Sequence, residues 1–184
     1  PRDFLEAWLG DLNIYLVAEH GAFIKEPGGG WTQLFPFDLS WKPAVRKLME
    51  DFTALTPGTY VEEKEVSIAW HYRNAEAEVG EAAANRLVEA LSGLLAGTPA
   101  NILRGVKVVE VRAAGVSKGA AAKLLYEKLA PDFVLIAGDD YTDEEMFKSV
   151  PAAFSVKVGR GETAAKFMAP SYRKVRELLR RLIS

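Results

Sequence analysis

A formal charge of −2, from 23 Lys and Arg against 25 Asp and Glu, gives the 184-residue chain no bulk electrostatic case for nucleic acid or an anionic membrane. Hydrophobic residues make up 49%, enough for a real core, and the absence of Cys excludes disulfides, thiolate chemistry and Cys-held zinc. No apolar run reaches the ~20 residues that span a bilayer and no signal peptide is visible, so a cytoplasmic setting is expected.

Residues 3–10 (DFLEAWLG) read as the end of a helix, with Phe4, Leu5, Trp8 and Leu9 on one side and Gly10 as the stop. IYLVA (14–18) is a continuous apolar run typical of a buried strand. AFIKE, GGG and WTQLF predict a hairpin over 22–35. The helix predicted next places Val45, Leu48, Met49 and Phe52 at helical spacing, and Pro57-Gly58 ends it. TYVEEK and VSIAWHYR are strands, 75–96 a long helix, and NILRG and VKVVEVR two strands joined at Gly105.

The texture then changes to alternation: helix 117–130, apolar strand 133–137, helix 142–149, strand AFSVKVG, helix 171–183. Alternation predicts parallel pairing with right-handed crossovers. Consecutive strands in the middle predict an inserted α+β unit. The expected organisation is an α/β core from 1–34 and 110–184, interrupted by an α+β cap at 35–109.

LIAGDDYTDEEMF (135–147) sets five acidic residues behind the apolar strand. Gly138 lets the backbone turn, and Asp139 and Asp140 then fall at the strand's carboxyl end, the edge where open α/β sheets bind ligands. Thr142 and Glu145 fit a capping box, and Asp143 and Glu144 suit a helix N-terminus. Adjacent carboxylates repel unless solvated, protonated or bound to a cation, and hard oxygens without nearby Cys or His point to Mg²⁺. Spacing alone leaves helix start and cation site both open.

AGVSKGAAAKLL (114–125) predicts Ser117 as an N-cap with Lys118 in the first turn, where a cation opposes the helix dipole. Either Lys118 faces an anion such as phosphate, or it is an exposed side chain on a capped helix. Gly119 suits close packing of the helix start.

Together these segments resemble one family. GDDYTDEEMF resembles the fourth motif of haloacid-dehalogenase-type phosphatases, in the form found in trehalose-6-phosphate phosphatases. VEVRAAGVSKG resembles the third motif, LVAEHGA the family's AEHG segment and VEEKEVSIAWHYR its cap strands, in the family's order over nearly the whole chain. Ala113 stands where the family usually has Pro.

The resemblance implies a Rossmann-like parallel-sheet core, incomplete at its N-terminus, with an inserted cap. It implies Mg²⁺-dependent hydrolysis of trehalose 6-phosphate through an aspartyl-phosphate. Lys118, Asp139 and Asp143 are the implied catalytic residues. Asp139 is the implied direct Mg²⁺ ligand, with Asp140 and Asp143 holding its waters or positioning Lys118. Glu19, His20, Gly21, Lys64 and Glu110 are implied sugar contacts. The polar face of VSIAWHYR, with Ser67, His71 and Arg73, is either solvated or binds sugar hydroxyls. Trp8, Trp31, Trp41 and Trp70 read as packing residues, and GRGE (159–162) as a loop.

The family's Asp-x-Asp-Gly-Thr first motif and its Ser-Gly-Arg second motif have no counterpart here, and the chain opens on Pro1 rather than Met. It reads as a fragment, lacking its nucleophile and two core strands and inactive by itself. The expected partners are the missing segment, a phosphosugar substrate and a trehalose-phosphate synthase domain. The alternatives are a phosphatase of sucrose or glucosylglycerol phosphate and a non-catalytic regulatory domain.

Overall fold

The computed structural model describes residues 1–182. The described residues form two compact units that meet in sequence at Val116 and Ser117.

The first unit opens with α1 (Arg2–Leu9), then β1 (Leu16–Ala18), a 3-10 turn (Glu19–Gly21), β2 (Phe23–Lys25) and β3 (Trp31–Gln33). These strands form an antiparallel sheet in the order β1-β2-β3, with Leu16 opposite Lys25 and Phe23 opposite Gln33. The predicted hairpin is present, while β1 is shorter than the apolar run. α1 buries no residue, and Trp8 is 79% exposed rather than packed.

α2 (Lys42–Leu55), β4 (Tyr60–Glu63), β5 (Ser67–His71), α3 (Ala77–Leu94), β6 (Ala100–Gly105) and β7 (Val108–Ala113) follow. Their antiparallel sheet has the order β4-β5-β7-β6. α2 starts with Pro43 in its first turn, where a missing N–H costs nothing, and buries Val45 and Met49 one turn apart. α3 is capped by Glu76, which accepts from the N–H groups of Glu78 and Val79, and buries Gly80, Ala83, Ala84, Leu87 and Leu91. Val66, Ile68, Trp70 and Tyr72 supply the facing core, all 3% exposed or less. Trp70 stacks on Tyr72 at 5.5 Å and donates its indole N–H to Thr53 at 3.0 Å, so its one polar atom is satisfied inside. Trp41 is buried as well. β7 is an inner strand whose register with β6 runs unbroken to Ala113 opposite Ala100, so a boundary at 109 falls within this sheet.

The second unit contains α4 (Lys118–Leu129), β8 (Leu135–Gly138), a 3-10 turn (Tyr141–Asp143), α5 (Glu144–Ser149), β9 (Phe154–Val158), β10 (Phe167–Ala169) and α6 (Tyr172–Leu182). The expected helix end at Ile183 lies outside the described residues. The sheet is parallel, in the order β10-β9-β8, as the alternation predicts. β10 escapes the sequence reading: an irregular crossover of residues 159–166 joins it to β9, too short for the helix that usually links parallel strands. α4 packs on α5 through Gly119, where a Cβ would sit 2.5 Å from the Glu145 carbonyl oxygen and the Ser149 hydroxyl.

The other face of this sheet is apolar and open. Phe133, Phe154 and Phe167 stack in a row and are each more than half exposed. Leu178 and Leu182 of α6 reach the same cavity, of about 430 Å³. Among the described residues β8 is an edge strand of this sheet and only partly buried, unlike the fully buried strand its composition predicts. Among the described residues no helix is long and apolar enough to cross a membrane.

Candidate active site

The carboxyl end of β8 carries the first cluster. Asp140, not Thr142, caps the turn that follows, and Asp143 rather than Glu145 completes the capping box. The cap lies two residues earlier than predicted because the chain enters a 3-10 turn at Tyr141 before α5 begins. This shift gives Asp143 its position. Its Oδ2 accepts from the N–H groups of both Asp139 and Asp140, each at 2.9 Å, and its Oδ1 accepts from the Lys118 ammonium at 2.7 Å. The residue is 6% exposed. Burial pushes its carboxyl up, but the Lys118 hydrogen bond, the two backbone donors and the Lys118 charge outweigh burial and hold it below the usual aspartate value. Gly138 makes room: a Cβ there would lie 2.4 Å from the Asp143 side chain.

Ser117 caps α4 as predicted, accepting from the Ala120 N–H at 2.9 Å. Lys118 meets an anion in its first turn, and that anion is Asp143. Asp139 is exposed, and its carboxylate has no partner among the described residues. Thus the three aspartates do not converge on one point. Asp140 caps a turn, Asp143 holds Lys118, and Asp139 alone is free. Among the described residues no group of three or more acidic or His side chains is arranged to hold a metal by itself.

Two residues here carry contacts that the sequence reading missed. Lys157 is buried on β9 and donates to the Asp139 carbonyl at 2.8 Å. The signal was available as a Lys inside an otherwise strand-like AFSVKVG. Glu144, read as a helix starter, accepts from the Thr163 hydroxyl and the Ala164 N–H and so fastens the crossover loop.

The second cluster lies in the first unit, on the polar face of β5 and β7. Ser67 pairs in register with Arg112 and Ala69 with Glu110. This face is not free: Ser67 and Ala69 are 0% and 1% exposed. Glu110 is its hub. Its Oε1 accepts from the Ser67 hydroxyl at 2.7 Å, lies 3.3 Å from His20 Nε2 and 4.0 Å from Lys64 Nζ. Burial pushes the Glu110 carboxyl up, yet the His20 hydrogen bond and charge, the Ser67 hydroxyl and the Lys64 charge together hold it at about 2.

Glu19, His20 and Gly21 reach this place through backbone at φ 50°, 56° and 101°, two of them without the freedom of glycine. Glu19 is 8% exposed, and its Oε2 and His20 Nδ1 are buried without a hydrogen-bond partner. A cavity of about 260 Å³ opens beside Glu19 and Lys64. His71 is not gathered here: it bonds Glu62 at 2.8 Å and stacks on Tyr60 at the other end of β5. Arg73 is exposed beyond the strand.

The Glu110 hub predicts an acid-sensitive fold. A lowered folded-state pKa means the ionised form stabilises the fold fully above about pH 4.5, and that contribution is lost as pH falls toward about 2. Glu110→Gln is expected to cost about 2 kcal/mol near neutral pH by exchanging charge-assisted hydrogen bonds for neutral ones. Urea unfolding of wild type and variant should show that gap closing in acid. A gap independent of pH contradicts the assignment.

Comparison with known proteins follows the same lines. The trehalose-phosphatase family model matches residues 1–175. The chain is 55% identical over 182 residues to a bifunctional trehalose-6-phosphate synthase/phosphatase of Thermoproteus tenax, covering 98% of this chain and 25% of that protein. It is 38% identical over 172 residues to a trehalose-phosphatase of Saccharomyces cerevisiae, covering 81% of this chain and 19% of that one. The solved C-terminal domain of the trehalose-6-phosphate phosphatase of C. albicans superposes with a TM-score of 0.87 at 32% identity, covering 97% of this chain and 73% of that chain. The chain spans about a quarter or less of the length of these curated relatives.

Proposed function

The chain belongs to the trehalose-phosphatase family, and on that premise we propose that the complete protein hydrolyses trehalose 6-phosphate to trehalose and phosphate. The observation that carries this reading is the Lys118 ammonium, held at 2.7 Å by a buried Asp143 at the same strand end as the unpartnered Asp139. That arrangement offers one cation and one free carboxylate at a sheet edge suited to ligands.

In this reading Lys118 donates to a phosphoryl oxygen and offsets its charge, aided by the positive end of the α4 dipole. Asp143 keeps Lys118 in place through their 2.7 Å contact. Asp139 is the proposed magnesium ligand. Its donor chemistry fits, because Mg²⁺ takes one or two protein carboxylates and fills its remaining positions with water and phosphate oxygens. When bound, Mg²⁺ supplies Lewis-acid neutralisation of the phosphoryl group. Asp140 supports the turn rather than the metal. The Asp nucleophile implied by the family resemblance has no counterpart among these residues, and the proposal assigns it to the complete protein.

Glu19, Lys64 and Glu110 are assigned the sugar hydroxyls, with His20 and Ser67 orienting Glu110. Buried, pre-oriented acceptors discriminate among hydroxyl patterns, since a wrong sugar leaves them unpaired. The Thermoproteus tenax relative, named as bifunctional, supports a synthase domain in the same polypeptide. A cytoplasmic setting belongs to the same proposal.

A substrate panel tests it. The complete protein is expected to release phosphate from trehalose 6-phosphate roughly 100-fold faster than from sucrose 6-phosphate or glucosylglycerol phosphate, and EDTA should stop the release. Equal rates across the panel overturn the sugar assignment. No release from any of them favours a non-catalytic domain.

A further inference from the structure

Lys157 lies on the central strand of the second unit's sheet, in register with Gly138, and is 8% exposed. An ammonium taken from water is costly unless its donors are used and its charge is matched. Here Nζ donates to the Asp139 carbonyl at 2.8 Å, lies 3.5 Å from that of Asp140 and 3.8 Å from the Glu144 carboxylate. A neutral side chain would satisfy a carbonyl without burying a charge. The charge makes the hold stronger, since charge-assisted hydrogen bonds are about twice as strong as neutral ones.

What this bond holds is specific. The N–H of Asp139 and the N–H of Asp140 both donate to Asp143 Oδ2. The carbonyl of Asp139 accepts from Lys157. Both peptide groups flanking the Asp139 Cα are therefore pinned, one by Asp143 and the other by Asp143 and Lys157 together. With φ and ψ fixed, the free carboxylate keeps only its side-chain rotations. The Glu144 carboxylate in turn pairs with Lys157 and also binds Thr163 and Ala164 at 2.8 Å and 2.7 Å.

We propose that Lys157 is a positioning residue for a cation-binding Asp139, and that Glu144 holds Lys157 and the crossover loop to that same point. The proposal rests on Asp139 being the metal ligand, as argued above. Residues that orient a ligand from behind typically change metal affinity roughly 10–100-fold when removed.

The test is Mn²⁺ titration of the complete protein, read by the electron paramagnetic resonance of the free ion, independent of turnover. Lys157→Met is expected to raise the Mn²⁺ dissociation constant roughly tenfold or more, Glu144→Gln to raise it less, and Lys157→Arg to restore part of the loss. Thermal melts run on the same samples identify any variant that does not fold. Should Lys157→Met fail to fold, Glu144→Gln decides, because it keeps its size at a partly solvated position. Wild-type affinity in folded Lys157→Met or, in its place, Glu144→Gln overturns the positioning role while leaving the metal reading intact. Unchanged Mn²⁺ binding in Asp139→Asn instead overturns the metal reading and this inference with it.

Discussion

Asp139→Asn in the complete protein is expected to lower phosphate release from trehalose 6-phosphate by roughly 1,000-fold while leaving stability nearly unchanged. The two halves of that expectation come from different observations. The Asp139 carboxylate is exposed and makes no hydrogen bond or ion pair among the described residues, so the fold has little to lose. Its backbone N–H and carbonyl, which do make contacts, are the same in Asn. Surface changes of this kind usually stay within about 0.5 kcal/mol. The loss of a charged metal ligand, by contrast, removes several kcal/mol of charge neutralisation where the phosphoryl group reacts, and each ~1.4 kcal/mol is tenfold in rate. Steady-state kinetics and a thermal melt on one preparation separate the two. A folded variant that is fully active removes Asp139 from the metal site, and one that is inactive because it is unfolded contradicts the expected stability.

Lys118→Met is expected to give the next largest effect, a fall in rate of roughly 100- to 1,000-fold, the usual result of losing one pre-organised charge donor. Its structural cost is smaller. The Asp143 carboxylate keeps its two backbone donors but loses its counter-charge. The Lys118 side chain is 31% exposed, so solvent screens the pair, and a cation is also removed from the positive end of α4. A loss near 1 kcal/mol is expected. The pH dependence identifies the pair. Asp143 has a lowered pKa in the folded chain, so its ionised form stabilises the fold above the ordinary aspartate pKa, and that support fades as pH falls through the lowered value. Without Lys118, burial is less opposed and the carboxyl rises. Acid unfolding followed by circular dichroism should then begin at higher pH in Lys118→Met. An unshifted acid transition means that Asp143 is held by its backbone donors alone.

The elements were legible where short-range rules decide them. Alternation gave the parallel sheet, the Ser117 cap fell where its spacing requires, and the apolar side of β5 became the core. Legibility failed where a residue's role depends on what the chain brings from afar. Nothing local separates Asp139, Asp140 and Asp143. The division of labour follows from a 3-10 turn that points Asp143 at Lys118, 25 residues away in sequence. Ser67 sits on the polar side of its strand, yet it is buried and its hydroxyl bonds Glu110, 43 residues on. β10 was missed because FMA is too short and too ordinary to read as a strand without its neighbour β9. Glu144 satisfied a helix-start rule so well that its grip on the crossover loop had no local signal.

The turn at Glu19 and His20 has a further consequence. A left-handed backbone costs a residue with a side chain roughly 1–2 kcal/mol, and this turn takes that cost at two successive positions. A population of variants enriched solely for heat resistance should therefore drift toward Gly or Asn at 19 and 20, which relax the strain but lack the Glu carboxylate and the His ring. Enrichment for phosphate release from trehalose 6-phosphate should hold both positions where they are. The side chains kept at positions 19 and 20 would then record which pressure has shaped them.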